Sequence, residues 1–449
     1  MHNLNLQGLT GKVITKFHCE YEKARKEWNR SIQKFPLVIV YCYTNCDISN
    51  AIMWARKYKV DIRIRTGGHH YEGYSVGNNV LVIDISKMNC LEFIPKGKKL
   101  KIQGGVKNEQ VYNFISSKGY PFPGGTCPTV GVSGYTLGGG WGYSCRKFGL
   151  GCDSLLEIEL IDYKGNLIVA NEQFNSDLFW ACRGGGGGNF GVIVSMTFKL
   201  PPKVDKVTFI EIYWPTVSAE IQQLFLEKWQ KWLVNLDHRI TLGVSLYNSV
   251  SEGLAIYGRG LFYGTPEEAR DILQPLVCID GGTINLEYIS FLDAVEKIEA
   301  SYPRSEQFKS TGRFVYRYYD RQEIKNIISL IQERASGSIF AAISLYALGG
   351  KVSSINKEDT AFFYRDAHYI LGIQSIWENP ILKKDNVQWV EQRFNYIKTI
   401  TQGSFINFPY SELKDYMSAY YGRNAGRLRK INKKYDPLNL FTFPQGIKS

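Results

Sequence analysis

Arg65-Thr66-Gly67-Gly68-His69-His70-Tyr71-Glu72-Gly73 and Gly124-Gly125-Thr126-Cys127-Pro128-Thr129-Val130-Gly131 decide how this chain is read. Each string sets one nucleophilic side chain, the His69 imidazole or the Cys127 thiol, in backbone nearly bare of Cβ atoms. Glycine accepts positive φ and lets backbone N–H groups approach closely, so each loop can lie against a phosphate or the edge of a large planar ligand. Taken alone, a histidine is as often a core or surface residue, and a free cysteine is ordinarily a small buried hydrophobe. The surrounding glycines, and Pro128 beside Cys127, set that plainer reading aside here.

Two further glycine runs follow, Gly138-Gly139-Gly140-Trp141-Gly142 and Gly184-Gly185-Gly186-Gly187-Gly188-Asn189-Phe190-Gly191. The second contains a literal GxGxxG at Gly186, Gly188 and Gly191. A Rossmann loop must open a helix, whereas Val192-Ile193-Val194-Ser195-Met196-Thr197-Phe198 is β-branched and strand-like, which excludes that kind of dinucleotide site. A flexible linker is the other plain reading. Trp180 and Phe190 at its ends favour a backbone surface against which a ligand lies, and convergence of all these loops on one extended ligand with phosphates is the economical explanation.

A length of 449 residues exceeds the roughly 250–300 at which single cores stop growing, so more than one domain is expected. Hydrophobic residues at 44% and charged residues at 21% exclude a disordered chain, and 29 tyrosines suit a planar or sugar-like ligand. The net charge of +12 raises a nucleic-acid reading, but its lysine clusters fall at residues 96–101 and 427–434, read as a hairpin tip and an exposed helix face, with no nucleic-acid module. Nine cysteines, an odd number without CxxC units, argue against a disulfide framework and against a metal site, and fit a reducing compartment. No signal-peptide core and no apolar run of roughly 18 residues is present, so a cytoplasmic protein that does not engage membranes is expected.

Periodicity predicts a helix over residues 20–32, a strand over 37–41 and a helix capped by Asp47. Strands follow at 61–65, 80–85 and 100–103, then a helix at 108–117 ended by Gly119. A hairpin spans 155–169 with its turn at 163–166, and a strand at 192–199 runs into Pro201-Pro202, the expected domain boundary. Beyond it, strands at 209–213, 241–247 and 254–263 and helices at 218–233 and after Thr265-Pro266-Glu267-Glu268 predict antiparallel strands with helices on one face. The tail, 411–434, reads as a helix packing back on the first domain.

The strings Gly-Gly-His-x-Tyr-Glu-Gly and Gly-Gly-Thr-Cys-Pro-Thr-Val-Gly-Val resemble the berberine bridge enzyme-like family of FAD-linked oxidases, within the vanillyl-alcohol-oxidase type of flavoprotein. Leu178-Phe179-Trp180-Ala181-Cys182-Arg183 before the glycine run, Tyr420-Tyr421-Gly422-Arg423-Asn424, and Tyr435-Asp436-Pro437-Leu438-Asn439-Leu440-Phe441 extend the likeness over nearly the whole chain. The resemblance implies an α+β fold: a two-subdomain FAD-binding domain of the PCMH type (1–202), an inserted antiparallel-sheet substrate domain (203–405) and a C-terminal segment (406–449) returning to the FAD domain. It implies FAD held twice, by His69 to the flavin 8α-methyl group and by Cys127 through sulfur to flavin carbon 6. The cradle it implies comprises Arg65, Thr66, Gly67, Gly68, His70 and Ser75, then Thr126, Thr129, Val130, Gly131, Val132 and Ser133, with Tyr135, Gly139, Gly142, Gly191, Val192, Tyr421 and Asn424. Val130 falls on the position that gates dioxygen, where a small residue matches an oxidase. Double attachment also makes a flavin a stronger oxidant and frees the cleft to stay wide.

Oxidation of an alcohol needs hydride transfer and a base for the hydroxyl proton. The family's base is often a tyrosine in Tyr-x-Asn-Tyr, but this chain reads Phe405-Ile406-Asn407-Phe408. The replacement candidates are Tyr71, on the family's substrate-side aromatic position, Tyr410, Tyr369 and Gln374, with Arg365 as the cation that would help a phenol ionise. Tyr135 stands where many relatives have a histidine that tunes the flavin. Three readings follow: an oxidase acting on an alcohol, sugar or secondary metabolite with dioxygen as acceptor and hydrogen peroxide as co-product; a flavin enzyme of cyclisation or desaturation type; and a flavin-carrying binding protein.

Overall fold

The computed structural model describes residues 5–448, which build three sheets. The first joins β1 (Lys12–Ile14), β2 (Val38–Tyr41), β3 (Ile62–Arg65) and β4 (Leu81–Asp84) in the order β1-β2-β4-β3. β4 runs parallel to both β2 and β3, and such pairing requires a crossover. The Asn45–Tyr58 helix supplies one between β2 and β3, burying Ile48, Ala51, Ile52 and Ala55 against the sheet. Its cap is Thr44, not Asp47. Asp47 occupies the third helical position, where its backbone N–H donates to Thr44 Oγ1 (3.2 Å) and its carboxylate accepts from the Thr44 N–H (3.0 Å), a reciprocal capping box.

The helix expected over residues 20–32 is a single turn, Tyr21–Ala24. Tertiary pairing overrides the periodicity beyond it: the Trp28 N–H donates to Gly68 O (2.9 Å) and Asn29 bridges to Glu306, so these residues run extended between two other segments.

β5 (Leu91–Ile94), β6 (Lys99–Gln103), β7 (Leu155–Ile161), β8 (Leu167–Asn171) and β9 (Val192–Lys199) form the second sheet, antiparallel throughout, in the order β5-β6-β9-β7-β8. The strand after the GxGxxG string is therefore β9, and no helix opens there.

The third sheet has seven antiparallel strands: β10 (Lys206–Trp214), β11 (Ile240–Ser249), β12 (Gly253–Phe262), β13 (Thr283–Ser290), β14 (Gln307–Val315), β15 (Ser338–Ala347) and β16 (Tyr369–Trp377), in the order β13-β10-β12-β11-β15-β16-β14. Period-2 alternation sends Leu242, Leu246, Ile343, Leu345, Leu371 and Ile373 into a core shared with the Ala219–Trp232, Arg321–Gln332 and Lys383–Ile400 helices. Their neighbours Gly243, Ser245, Ser344, Tyr346 and Gln374 face the other way, towards the glycine loops.

The C-terminal tail is not one helix. Tyr416–Tyr421 and Ala425–Tyr435 are separated at Gly422 (φ +51°), where a Cβ would stand 2.4 Å from the Phe363 ring. The broken helix returns the chain to the glycine run: Asn432 Nδ2 donates to Asn189 O and the Ile447 N–H to Asn189 Oδ1, each at 2.9 Å. No helix among the described residues is long and apolar enough to cross a membrane.

Candidate active site

β3 ends on Arg65, whose buried guanidinium donates to Asp84 Oδ2 (2.6 Å) and lies 3.5 Å from Glu27. This ion network anchors the loop that follows. Gly67 then meets the second loop backbone to backbone, since a Cβ there would lie 2.5 Å from both Gly131 N and Thr129 O. Thr66 Oγ1 pairs with Ser133 Oγ (3.1 Å), which donates to Gly104 O (2.8 Å). The two strings, distant in sequence, are thus packed into one unit.

Thr129 is where they converge. Its hydroxyl lies 2.8 Å from His69 Nε2 and 3.8 Å from Cys127 Sγ, so one side chain touches both nucleophiles. Trp28 stacks on the His69 ring at 5.1 Å. Burial pushes His69 down to about 3, so its imidazole is neutral at ordinary pH, and burial raises the Cys127 thiol above its usual range, only partly offset by hydrogen bonds from Thr129. His70 is likewise held neutral, pushed down to about 3; its Nδ1 accepts from the Glu72 N–H (3.2 Å) and its ring leans on Tyr74.

Both nucleophiles line a cavity of about 630 Å³ between the glycine loops and the third sheet. Of the residues expected at the site, Thr66, Gly67, Gly68, His70, Tyr71, Ser75, Thr126, Val130, Gly131, Ser133, Tyr135, Gly191 and Gln374 share this lining. Arg65, Val132, Gly139, Gly142 and Val192 are not among the lining residues, and Thr129 reaches the lining through its contact with His69. Tyr421 donates to Gly185 O (2.9 Å) and supports the glycine run from outside, while Asn424 Nδ2 bonds the carbonyls of residues 357, 360 and 361. The Tyr135 hydroxyl donates to Pro123 O (3.0 Å) and Gly140 O (2.9 Å).

Three expected catalytic groups are misplaced for catalysis. Tyr369 is an odd member of β16 and faces the helix-covered core against Trp229, whereas Gln374, of opposite parity, faces the cavity. Tyr410 is buried against Phe394 (4.2 Å) outside the lining. Arg365 is fully buried in a bidentate pair with Asp153, both contacts 2.8 Å, and activates no phenol. Phe405 and Phe408 do line the cavity, and Phe408 stacks on Tyr71 at 5.4 Å, so the missing phenols leave an apolar wall. Asn407 bonds the Tyr135 carbonyl (2.9 Å).

Sequence reasoning missed Trp28, Tyr143, Arg259, Tyr302, Glu306 and Tyr346 as lining residues. Arg259 Nε donates to the Tyr143 hydroxyl (3.2 Å), its guanidinium covers the Tyr302 ring at 5.0 Å, and Tyr302 OH meets Thr126 Oγ1 (2.6 Å) beside Cys127. For Arg259 the only available signal was its parity with Tyr257 on β12.

The donor set fits FAD. Gly134, Gly187 and Gly188 border the lumen with open space or loose contact where a Cβ would project, leaving room for flat rings and phosphates against bare backbone. Comparison with known proteins agrees. The FAD binding domain family matches residues 36–171 and the berberine and berberine-like family matches residues 404–448. Two FAD-linked oxidoreductases of Bacillus subtilis (strain 168), both uncharacterized, align over 98% of this chain: YgaK at 34% identity, covering 97% of its own length, and YvdP at 35%, covering 98%. This chain belongs to the berberine bridge enzyme-like family of FAD-linked oxidases. More distant members include the carbohydrate oxidase of Microdochium nivale, 25% identical over 96% of this chain and 91% of that protein. The solved structure of Physcomitrella patens BBE-like 1 superposes with a TM-score of 0.88 at 25% identity, covering 97% of this chain and 96% of that one. Glucooligosaccharide oxidase from Acremonium strictum, described for its 6-S-cysteinyl, 8α-N1-histidyl FAD, shares the fold with a TM-score of 0.89 at 19% identity over 97% of both chains.

Proposed function

We propose that this oxidoreductase carries FAD attached through both His69 and Cys127 and oxidises a hydroxyl group of a sugar or similar alcohol, passing electrons to dioxygen to give hydrogen peroxide. The convergence of His69 and Cys127 on Thr129 at one cavity wall carries this reading. FAD supplies the hydride acceptor when bound. The imidazole would donate its Nε2 proton to Thr129 Oγ1, which leaves the Nδ1 lone pair as the nucleophile, in keeping with the N1-histidyl link described for the Acremonium oxidase. Cys127 must lose its proton to attack, against the upward push of burial.

The cavity lining also suits a sugar-like substrate. Tyr71, Trp141 and Tyr346 offer ring faces, while Gln374, Ser245 and Ser344 offer hydrogen bonds. The carbohydrate oxidase of Microdochium nivale gives the same direction by its name. Val130, small and on the lining, leaves space for dioxygen. We also propose division of labour at 1–202, 203–405 and 406–449. It is supported by the confinement of the first two sheets to residues 12–199 and of the third to 206–377.

The test is an intact mass of denatured protein, expected to exceed the polypeptide by one FAD, with a peptide map placing it on both loops. Anaerobic bleaching of the flavin by cellobiose, chitobiose or xylobiose, and its recovery in air with peroxide release, then checks the reaction. Colour lost on acid precipitation contradicts the tethers. A flavin reduced by dithionite but by no substrate favours a flavin-carrying binding protein, the reading that the phenol-free wall of Phe405 and Phe408 supports.

A further inference from the structure

The loss of both family phenols leaves the hydroxyl proton without an acceptor, and the cavity lining narrows the replacements. Burial works against ionisation of several of its phenols, and the Tyr302 hydroxyl is taken up by Thr126 Oγ1 (2.6 Å). Burial holds Tyr71 far above the ordinary range, assisted by the neighbouring Tyr346 and Tyr302 phenols. Burial also raises Tyr143, even with Arg259 donating to it, and Tyr346. His69 and His70, pushed down to about 3, are weak bases, and His69 is committed to a tether. Among the described residues, one carboxylate lines the cavity: Glu306.

Glu306 sits at the entry to β14. Its backbone is fixed on both sides, the N–H donating to Trp28 O (3.3 Å) and the carbonyl accepting from the Arg30 N–H (2.7 Å). No hydrogen bond or ion pair of the described residues reaches its carboxylate. Of the titratable groups around it, the Tyr71 phenol feels the Glu306 charge, which helps to keep it protonated, and the Tyr302 hydroxyl is bonded to Thr126. Arg30 turns its guanidinium to Glu27 O, Lys309 is paired with Glu72 (2.5 Å), and the His69 ring stacks on Trp28; Arg304, on the same loop, is exposed. A half-buried carboxylate without a partner is costly to maintain, and a cavity wall is where such a group has a use.

Resting on the hydroxyl-oxidation reading above, we propose that Glu306 is the catalytic base, accepting the substrate's hydroxyl proton. The O–H bond breaks towards the carboxylate, which becomes a carboxylic acid. The carbon-bound hydrogen leaves as hydride to the FAD ring, and the C–O bond becomes C=O; the acid then returns its proton to solvent. Burial sets Glu306 at about 7, in the range where a carboxyl both accepts a proton and gives it up near neutrality.

Flavin reduction in the holoenzyme, followed anaerobically with cellobiose, chitobiose and xylobiose, should rise with pH along a limb of midpoint about 7. Glu306→Gln should remove that limb and slow reduction roughly 10²- to 10⁴-fold at about pH 8, with tethered mass and dithionite reduction unchanged, and Glu306→Asp should recover part of the rate. Infrared difference spectra of wild type against Glu306→Gln should show a protonated carboxyl band that disappears with the same midpoint. Reduction of Glu306→Gln at the wild-type rate, persistence of the limb, or absence of the band overturns the assignment. A wild-type flavin that none of these sugars reduces, by contrast, overturns the sugar-oxidation reading on which this proposal rests.

Discussion

Replacing Thr129 by valine keeps the shape of the side chain and removes the one hydroxyl that touches both nucleophiles. His69 Nε2 sits 2.8 Å from that hydroxyl in a buried setting, so the variant leaves a ring nitrogen unpaired, worth about 1–3 kcal/mol. If that loss is expressed in the transition state of attachment, the histidyl link forms roughly 5- to 150-fold more slowly. The contact to Cys127 Sγ, at 3.8 Å, is longer and weaker, so the cysteinyl link should slow less. The assay incubates flavin-free protein with FAD, quenches samples in acid and reads intact mass, with Cys127→Ser and His69→Ala backgrounds isolating each bond. Histidyl attachment at the wild-type rate in Thr129→Val would refute the role of this hydroxyl in orienting the imidazole. A defect confined to the cysteinyl bond would refute it equally.

Gly67→Ala places a Cβ 2.5 Å from Gly131 N and Thr129 O, so it should separate the two loops; the expected result is loss of both covalent bonds in the mass spectrum and a lower Tm. Asp153→Ala strands the fully buried Arg365 guanidinium and should cost about 3–5 kcal/mol in urea unfolding, far more than an exposed pair such as Lys12 with Glu20. Glu306 has a folded value of about 7, above its unfolded carboxyl, so the native state binds the extra proton between about 4.5 and 7, and stability is lost as pH rises through that window. Glu306→Gln should therefore be more stable than wild type by about 1–3 kcal/mol at pH 8 and equal to it near pH 4, read from denaturant midpoints. Equal midpoints at both pH values would contradict this.

Local chemistry in the sequence was enough to pick out the glycine loops that line the cavity, the strand after the GxGxxG string and the antiparallel middle region with its helix-covered face. These follow from short-range rules: glycine where backbone must be bare, β-branched runs that cannot open a helix, and a capping pattern at Thr265. The tertiary structure alone decided which side chains share the lumen. Strand parity turned Tyr369 away and Gln374 inward, the Asp153 pairing removed Arg365, and the extended path of Trp28 and Asn29, fixed by Gly68 and Glu306, replaced a periodic helix. Segments as far apart as residues 28, 259 and 306 meet only after three sheets have packed, because the energy that places them comes from long-range burial and pairing.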